Sequence, residues 1–123
     1  MVTSRSTEKR AWTAGARIYS GRPDPVWEVS NVVAKKLVKI WDALALADHK
    51  PQPATGHLGY RGCFLRDAGK REWDAFGGVV LLESAAGVEF RSDPVRQFET
   101  ALIASAPKGR LPEALLSGAW SGQ

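Results

Sequence analysis

The sequence predicts an α+β domain, a mainly antiparallel sheet with two amphipathic helices packed on it in the order β-α-β-β-β-α. Three observations carry that prediction. Two stretches place apolar residues at helical spacing, several short stretches alternate apolar with polar residues, and turn chemistry separates the alternating stretches.

Residues 1–9 mix Ser, Thr, Lys, Arg and Glu without any period and read as a disordered lead-in, which leaves 10–123 as one domain. Between Gly15 and Ser20, Ala16 and Ile18 alternate with Arg17 and Tyr19, the pattern of a half-buried strand. Its end is set by Ser20-Gly21-Arg22-Pro23-Asp24-Pro25, where two prolines remove backbone donors and fix φ. The result is a stiff loop.

Ser30 is an N-cap candidate, and Val33, Leu37, Ile40 and Leu44 then recur on one helical face, widened by Val38 and Trp41. Lys35, Lys36, Lys39 and Asp42 fall mostly on the other side. Pro51 and Pro53 close this stretch, and residues 48–59 read as a loop. A three-strand meander follows. Its first strand is Tyr60 to Arg66, its second Glu72 to about Glu83, and its third runs through Val88 and Phe90. Asp67-Ala68-Gly69-Lys70 and Ala85-Ala86-Gly87 supply the turns, and Gly77-Gly78 reads as a bulge or close approach inside the second strand. Asp93 before Pro94 is a helix-start signal, with Val95, Phe98 and Leu102 on one apolar face and Pro107 and Gly109 as the stop. Pro112 to Leu116 adds one more turn, and Trp120 is available to fold back onto the body. The partner of the first strand is left open by the sequence.

At 123 residues the chain is long enough for one core and too short for two ordinary domains. An apolar fraction of 44% with 24% charged residues excludes the disordered and membrane classes on composition, and no run approaches a bilayer span. The polar N-terminus shows no secretory signal and Cys63 is the sole cysteine, so a cytoplasmic location and no intrachain disulfide are expected. The net charge of +4 is uneven. Residues 1–40 carry eight Lys and Arg against three acids, whereas residues 41–123 carry nine against ten. Such a basic front can steer anionic partners, although a solvated tail and a solvated helix face are what charge runs usually mean and are the favoured reading.

The chemistry-bearing segments are few. In Ser20 to Trp27 a rigid Pro-x-Pro turn presents Arg22, Asp24 and Trp27, residue types favoured at recognition sites, and a stiff loop loses little entropy on binding. The plain structural reading has Asp24 and Arg22 paired locally and Trp27 plugging the core. Gly56-His57-Leu58-Gly59-Tyr60-Arg61-Gly62 has glycines three apart, but it leads into a strand, not a helix, so a phosphate loop is disfavoured. His57 with Cys63 is a possible base and thiol, set against the common fate of cysteine as a buried apolar residue. His49, His57 and Cys63 lack a recognised ligand spacing, and no metal or cofactor is expected. Glu72 and Asp74 share one strand face and offer a general acid/base pair, more simply read as a solvated edge.

The Ser20 to Trp27 loop, Gly59-Tyr60-Arg61-Gly62 and Phe76-Gly77-Gly78-Val79 resemble segments of small uncharacterised bacterial proteins. In that group a Ser-Gly-Arg-Pro-(Asp/Asn)-Pro-x-Trp segment precedes a helix and a Gly-Tyr-Arg-Gly strand follows. The resemblance covers about residues 15–105 and carries no activity, but it implies that the three segments form one common site.

These readings converge on a non-enzymatic binding or accessory module that holds a protein, peptide or small ligand through Arg22, Asp24, Trp27, Tyr60 and Arg61, with no catalytic residue assigned. One alternative is a small enzyme using His57, Cys63 or Asp24. The other is weak nucleic-acid binding through Arg5, Lys9, Arg10, Lys35, Lys36 and Lys39, disfavoured by the modest net charge. No membrane partner is expected, and the chain should be a monomer or homodimer.

Overall fold

The computed structural model describes residues 12–18, 23–47 and 61–111. The lead-in 1–9, Arg22, the 48–59 connection with both histidines, Tyr60, the Pro112 to Leu116 turn and Trp120 lie outside the described residues. The expected α+β class is present, as a seven-stranded antiparallel sheet with two helices packed on it. In chain order the elements are β1 (Trp12–Ala16), β2 (Val26–Val29), α1 (Asn31–Ala43), β3 (Ala45–Leu46), β4 (Cys63–Arg66), β5 (Glu72–Phe76), β6 (Val79–Ser84), β7 (Gly87–Ser92) and α2 (Gln97–Ala104). The sheet order is β2-β1-β4-β5-β6-β7-β3.

The element order differs from the predicted one in ways that have physical causes. The first strand runs earlier than Gly15–Ser20, because Ala14, Ala16 and Ile18 share the buried side. Val26–Val29 is a strand and not loop: Trp27 and Val29 are buried while Val26 and Glu28 are exposed, the period-two signature of a half-buried strand. Gly77-Gly78 is a tight turn and not a bulge, with φ of +63° and +89°. Two successive positive φ values match the twist of a two-residue hairpin and splay no ladder, so the long second strand becomes β5 and β6 and the meander has four strands. The two-residue β3 pairs Ala45 with Ser92 and Leu46 with Arg91, closing the far edge.

Cross-strand register sorts the sheet into two faces. Ala14, Leu65, Trp73 and Leu82 form one row, and Ala16, Cys63, Ala75 and Val80 the next. Both rows face the helices, where Ala34, Leu37 and Trp41 of α1 and Phe98, Leu102 and Ile103 of α2 complete the core. The opposite face carries the row Gly15, Phe64, Asp74, Leu81, Phe90 and beside it Thr13, Arg66, Glu72, Glu83, Val88.

Ser30 caps α1 as its sequence position predicts, accepting the Val33 N–H at 3.2 Å. The start of α2 is displaced from the expected one. Asp93 and Pro94 form a turn, Arg96 takes a left-handed conformation at φ +56°, and helical residues begin at Gln97. The Asp93 carboxylate nevertheless reaches forward to accept the N–H groups of Gln97 at 2.8 Å, Phe98 at 2.9 Å and Glu99 at 3.4 Å. Val95, placed by the sequence on the apolar face, is 78% exposed because the turn throws it outward.

Candidate functional site

Antiparallel pairing brings the end of β1, the approach to β2, the start of β4 and the β5–β6 turn to one end of the sheet. The backbone stitches these segments together. Pro25 C=O accepts from Ala16 N–H at 3.2 Å, Gly62 C=O from Arg17 N–H at 2.8 Å, and Arg17 C=O from Arg61 N–H at 2.7 Å. Gly62, at φ +108°, has Ala75 C=O so close that a Cβ would stand 2.8 Å from it, which no side chain tolerates. Gly78 C=O in turn accepts from Asp93 N–H at 2.7 Å. The described residues of all three motif-bearing segments therefore meet along a single rim.

Of the predicted site residues, Asp24 and Arg61 come together on that rim. Asp24 Oδ1 accepts the Ile18 N–H at 2.8 Å and lies 4.0 Å from Arg61 Nη2. Because its carboxylate terminates the β1 backbone, Asp24 fixes the Pro23–Pro25 turn onto the sheet. Trp27 points the other way. It is 4% exposed, sits in the core, and donates its indole N–H to Ser105 Oγ at 3.0 Å, so it anchors the loop from beneath and presents no surface to a ligand. Cys63 is 1% exposed, with its thiol 3.9 Å from Glu99 C=O, and offers no surface to a substrate.

Next to the rim, on the face away from the helices, is a cluster the sequence undervalued. Glu72 and Asp74 are not at an edge, since β5 is the fourth strand of seven. Arg17 binds both, with Nη2 2.9 Å from Glu72 Oε2 and in contact with Asp74 Oδ1, and Arg66 Nε holds Glu72 Oε1 at 2.7 Å. Both guanidinium groups also lie over the Phe64 ring, at 4.5 Å for Arg17 and 4.2 Å for Arg66, and shield it from water. Alternation put Glu72 and Asp74 on one face, but only the β1–β4–β5 register places Arg17 between them.

The environment splits the two carboxyl groups. Burial, then the hydrogen bond with Glu72, pushes Asp74 up to about 7, against the opposing charge of Arg17. Burial alone would raise Glu72 too, but hydrogen bonds from Asp74, Arg66 and Arg17 outweigh it and hold Glu72 below its ordinary value. The proton that the pair shares therefore resides on Asp74 in preference to Glu72, and the two titrate as a unit. The folded state keeps the Asp74 proton to about pH 7 while the unfolded chain releases it near 3.8, so this contribution to stability is full below the unfolded value and disappears as pH rises through the folded one. Glu72 acts in the opposite sense, but its change falls at more acid pH. Between about pH 5 and 8 the parent should therefore lose more thermal stability than Asp74→Asn does, and equal losses in paired melting curves would refute the assignment.

Among the described residues no three His, Cys, Asp or Glu side chains assemble as metal ligands, and no helix is long and apolar enough to cross a membrane. No family model, curated protein or solved structure matches the chain.

Proposed function

We propose that the chain is a non-enzymatic binding or accessory module, and that its recognition surface is the rim formed by the Arg22-Pro23-Asp24-Pro25 loop with Tyr60 and Arg61. The observation that supports this reading is the fixation of the loop. Pro25 is hydrogen bonded to the end of β1 and Asp24 to Ile18 just beyond it, Trp27 is locked in the core beneath, and the Asp24 and Arg61 side chains remain 26% and 45% exposed. A surface held in this way meets its partner with little further loss of conformational entropy. Adjacent acidic and basic groups suit a polar peptide, protein segment or zwitterionic small molecule, which can pair with both.

The test uses Arg22→Ala with Arg61→Ala; the Arg61 side chain is 45% exposed, and the loss of two arginines from a polar loop and a strand entry should change stability by no more than about 0.5 kcal/mol each. Parent and variant serve as baits for native lysate, with proteins and small molecules identified by mass spectrometry. The expected outcome is a partner held by the parent and lost by the variant. A correctly folded variant that retains every parental partner at parental levels would defeat the proposal.

A further inference from the structure

At the opposite end of the sheet from the rim, α1 and the β4–β5 turn flank an open groove of about 560 Å³. Lys35, Lys36 and Lys39 of α1 stand along it, Arg71 is also in its lining, and Asp42 is the only acid among the described residues that line it. Trp12, Val32 and Val38 supply the apolar surface.

Part of the wall is rigidly built. Trp12 donates its indole N–H to Asn31 Oδ1 at 3.0 Å, and its ring packs on Trp73 at 5.9 Å between centroids. Arg71 is held by Asp67 at 2.7 Å and lies 4.8 Å above the Trp73 ring. The lysines differ. Among the described residues no carboxylate pairs with Lys35, Lys36 or Lys39. Lys35 and Lys39 are also four apart on the helix, a like-charge spacing that is mildly destabilising. Among the described residues these three cations stand without a carboxylate partner beside a fixed aromatic wall, and their complement is an anion with a flat apolar body. The volume lies within the range of small-molecule sites, roughly 300–1,000 Å³.

We propose that the groove between α1 and the β4–β5 turn binds a small phosphate ester of an aromatic ring, of mononucleotide size, with the phosphate among Lys35, Lys36, Lys39 and Arg71 and the ring against Trp12. This site shares no residue with the rim and stands independently of the function proposed there.

Calorimetric titration of the full chain with 5′-AMP, adenosine and inorganic phosphate at low salt tests it. AMP should bind saturably, with adenosine and phosphate each at least about tenfold weaker, because neither alone satisfies both halves of the groove. Lys36→Glu with Lys39→Glu, both exposed, should keep the parental melting temperature and weaken AMP by about tenfold or more, and raising salt from about 50 to about 200 mM should weaken the parent markedly more than the variant. No saturable AMP binding, or equal affinity in the double variant, would overturn the proposal. So would binding of a single-stranded oligonucleotide without AMP binding, which would make the groove a polynucleotide surface instead.

Discussion

Trp27→Ala is expected to destabilise the protein by about 3–5 kcal/mol, lowering the thermal midpoint by more than about 10 °C. The indole is 4% exposed on β2, within the cluster that joins the sheet to both helices, and its removal leaves a cavity that the paired strands around it cannot close. Its N–H bond to Ser105 Oγ adds a second cost, because Ser105 Oγ is already oriented by donating to Leu102 C=O at 2.6 Å. Trp27→Phe separates the two contributions: it keeps most of the volume, and the lost hydrogen bond should cost about 1 kcal/mol, with any mismatch of ring shape in addition. Chemical denaturation of both variants provides the check, and an alanine variant within about 1 kcal/mol of the parent would show that the tryptophan is not the anchor described. Any ligand binding lost by Trp27→Ala would follow from this unfolding, so the rim must be probed at Arg22 and Arg61.

Asp93→Ala should cost about 2–4 kcal/mol, a large effect for a change that removes no apolar surface. The side chain is 1% exposed and its two oxygens accept three backbone N–H groups of the first turn of α2, donors that have no helical partner of their own. Without the carboxylate those donors are left buried beside Phe98, and the favourable charge at the helix N-terminus is lost with them. Asp93→Asn keeps one acceptor oxygen and should fall between parent and alanine in urea denaturation. An alanine variant indistinguishable from the parent would contradict the capping role.

Asp93 also shows what the sequence could and could not disclose. The residue type and its position before Pro94 pointed to an acidic cap and a helix ahead but put its first residue at Pro94, because the left-handed Arg96 that delays the helix to Gln97 has no local signal. The same division holds elsewhere. Ser30 and the apolar spacing of α1 were legible because capping and helical periodicity are local. Gly77-Gly78 is a strong hairpin signal, yet the apolar residues on both sides continue a single strand pattern, and that continuity hides the β5–β6 turn. Val26 to Val29 alternates plainly, but four residues between a proline loop and a helix cap fall below the length at which period two stands out. Of the Arg17, Glu72 and Asp74 cluster only the two acids were legible, because alternation puts them on one face, whereas the place of Arg17 between them was not. It depends on β1 inserting between β2 and β4, a long-range pairing that no local pattern encodes. Trp27 carried an ambiguous signal, since a large aromatic beside a polar loop suits a binding anchor and a core plug alike, and burial resolved it toward the core.

The edges of the sheet bear on how a partner can be engaged. β2 is the outer strand nearest the rim, four residues long, and the carbonyl of Val26 on its open side is occupied by the Arg110 guanidinium. At the other border the two residues of β3 cover the end of β7. An incoming extended peptide seeking to prolong the ladder beside β2 would find a short template and would first have to displace Arg110. Under the proposed function, recognition next to the proline loop would therefore come from side chains such as Asp24 and Arg61 and be sensitive to the partner's sequence, whereas strand addition would depend mainly on backbone and be far more permissive.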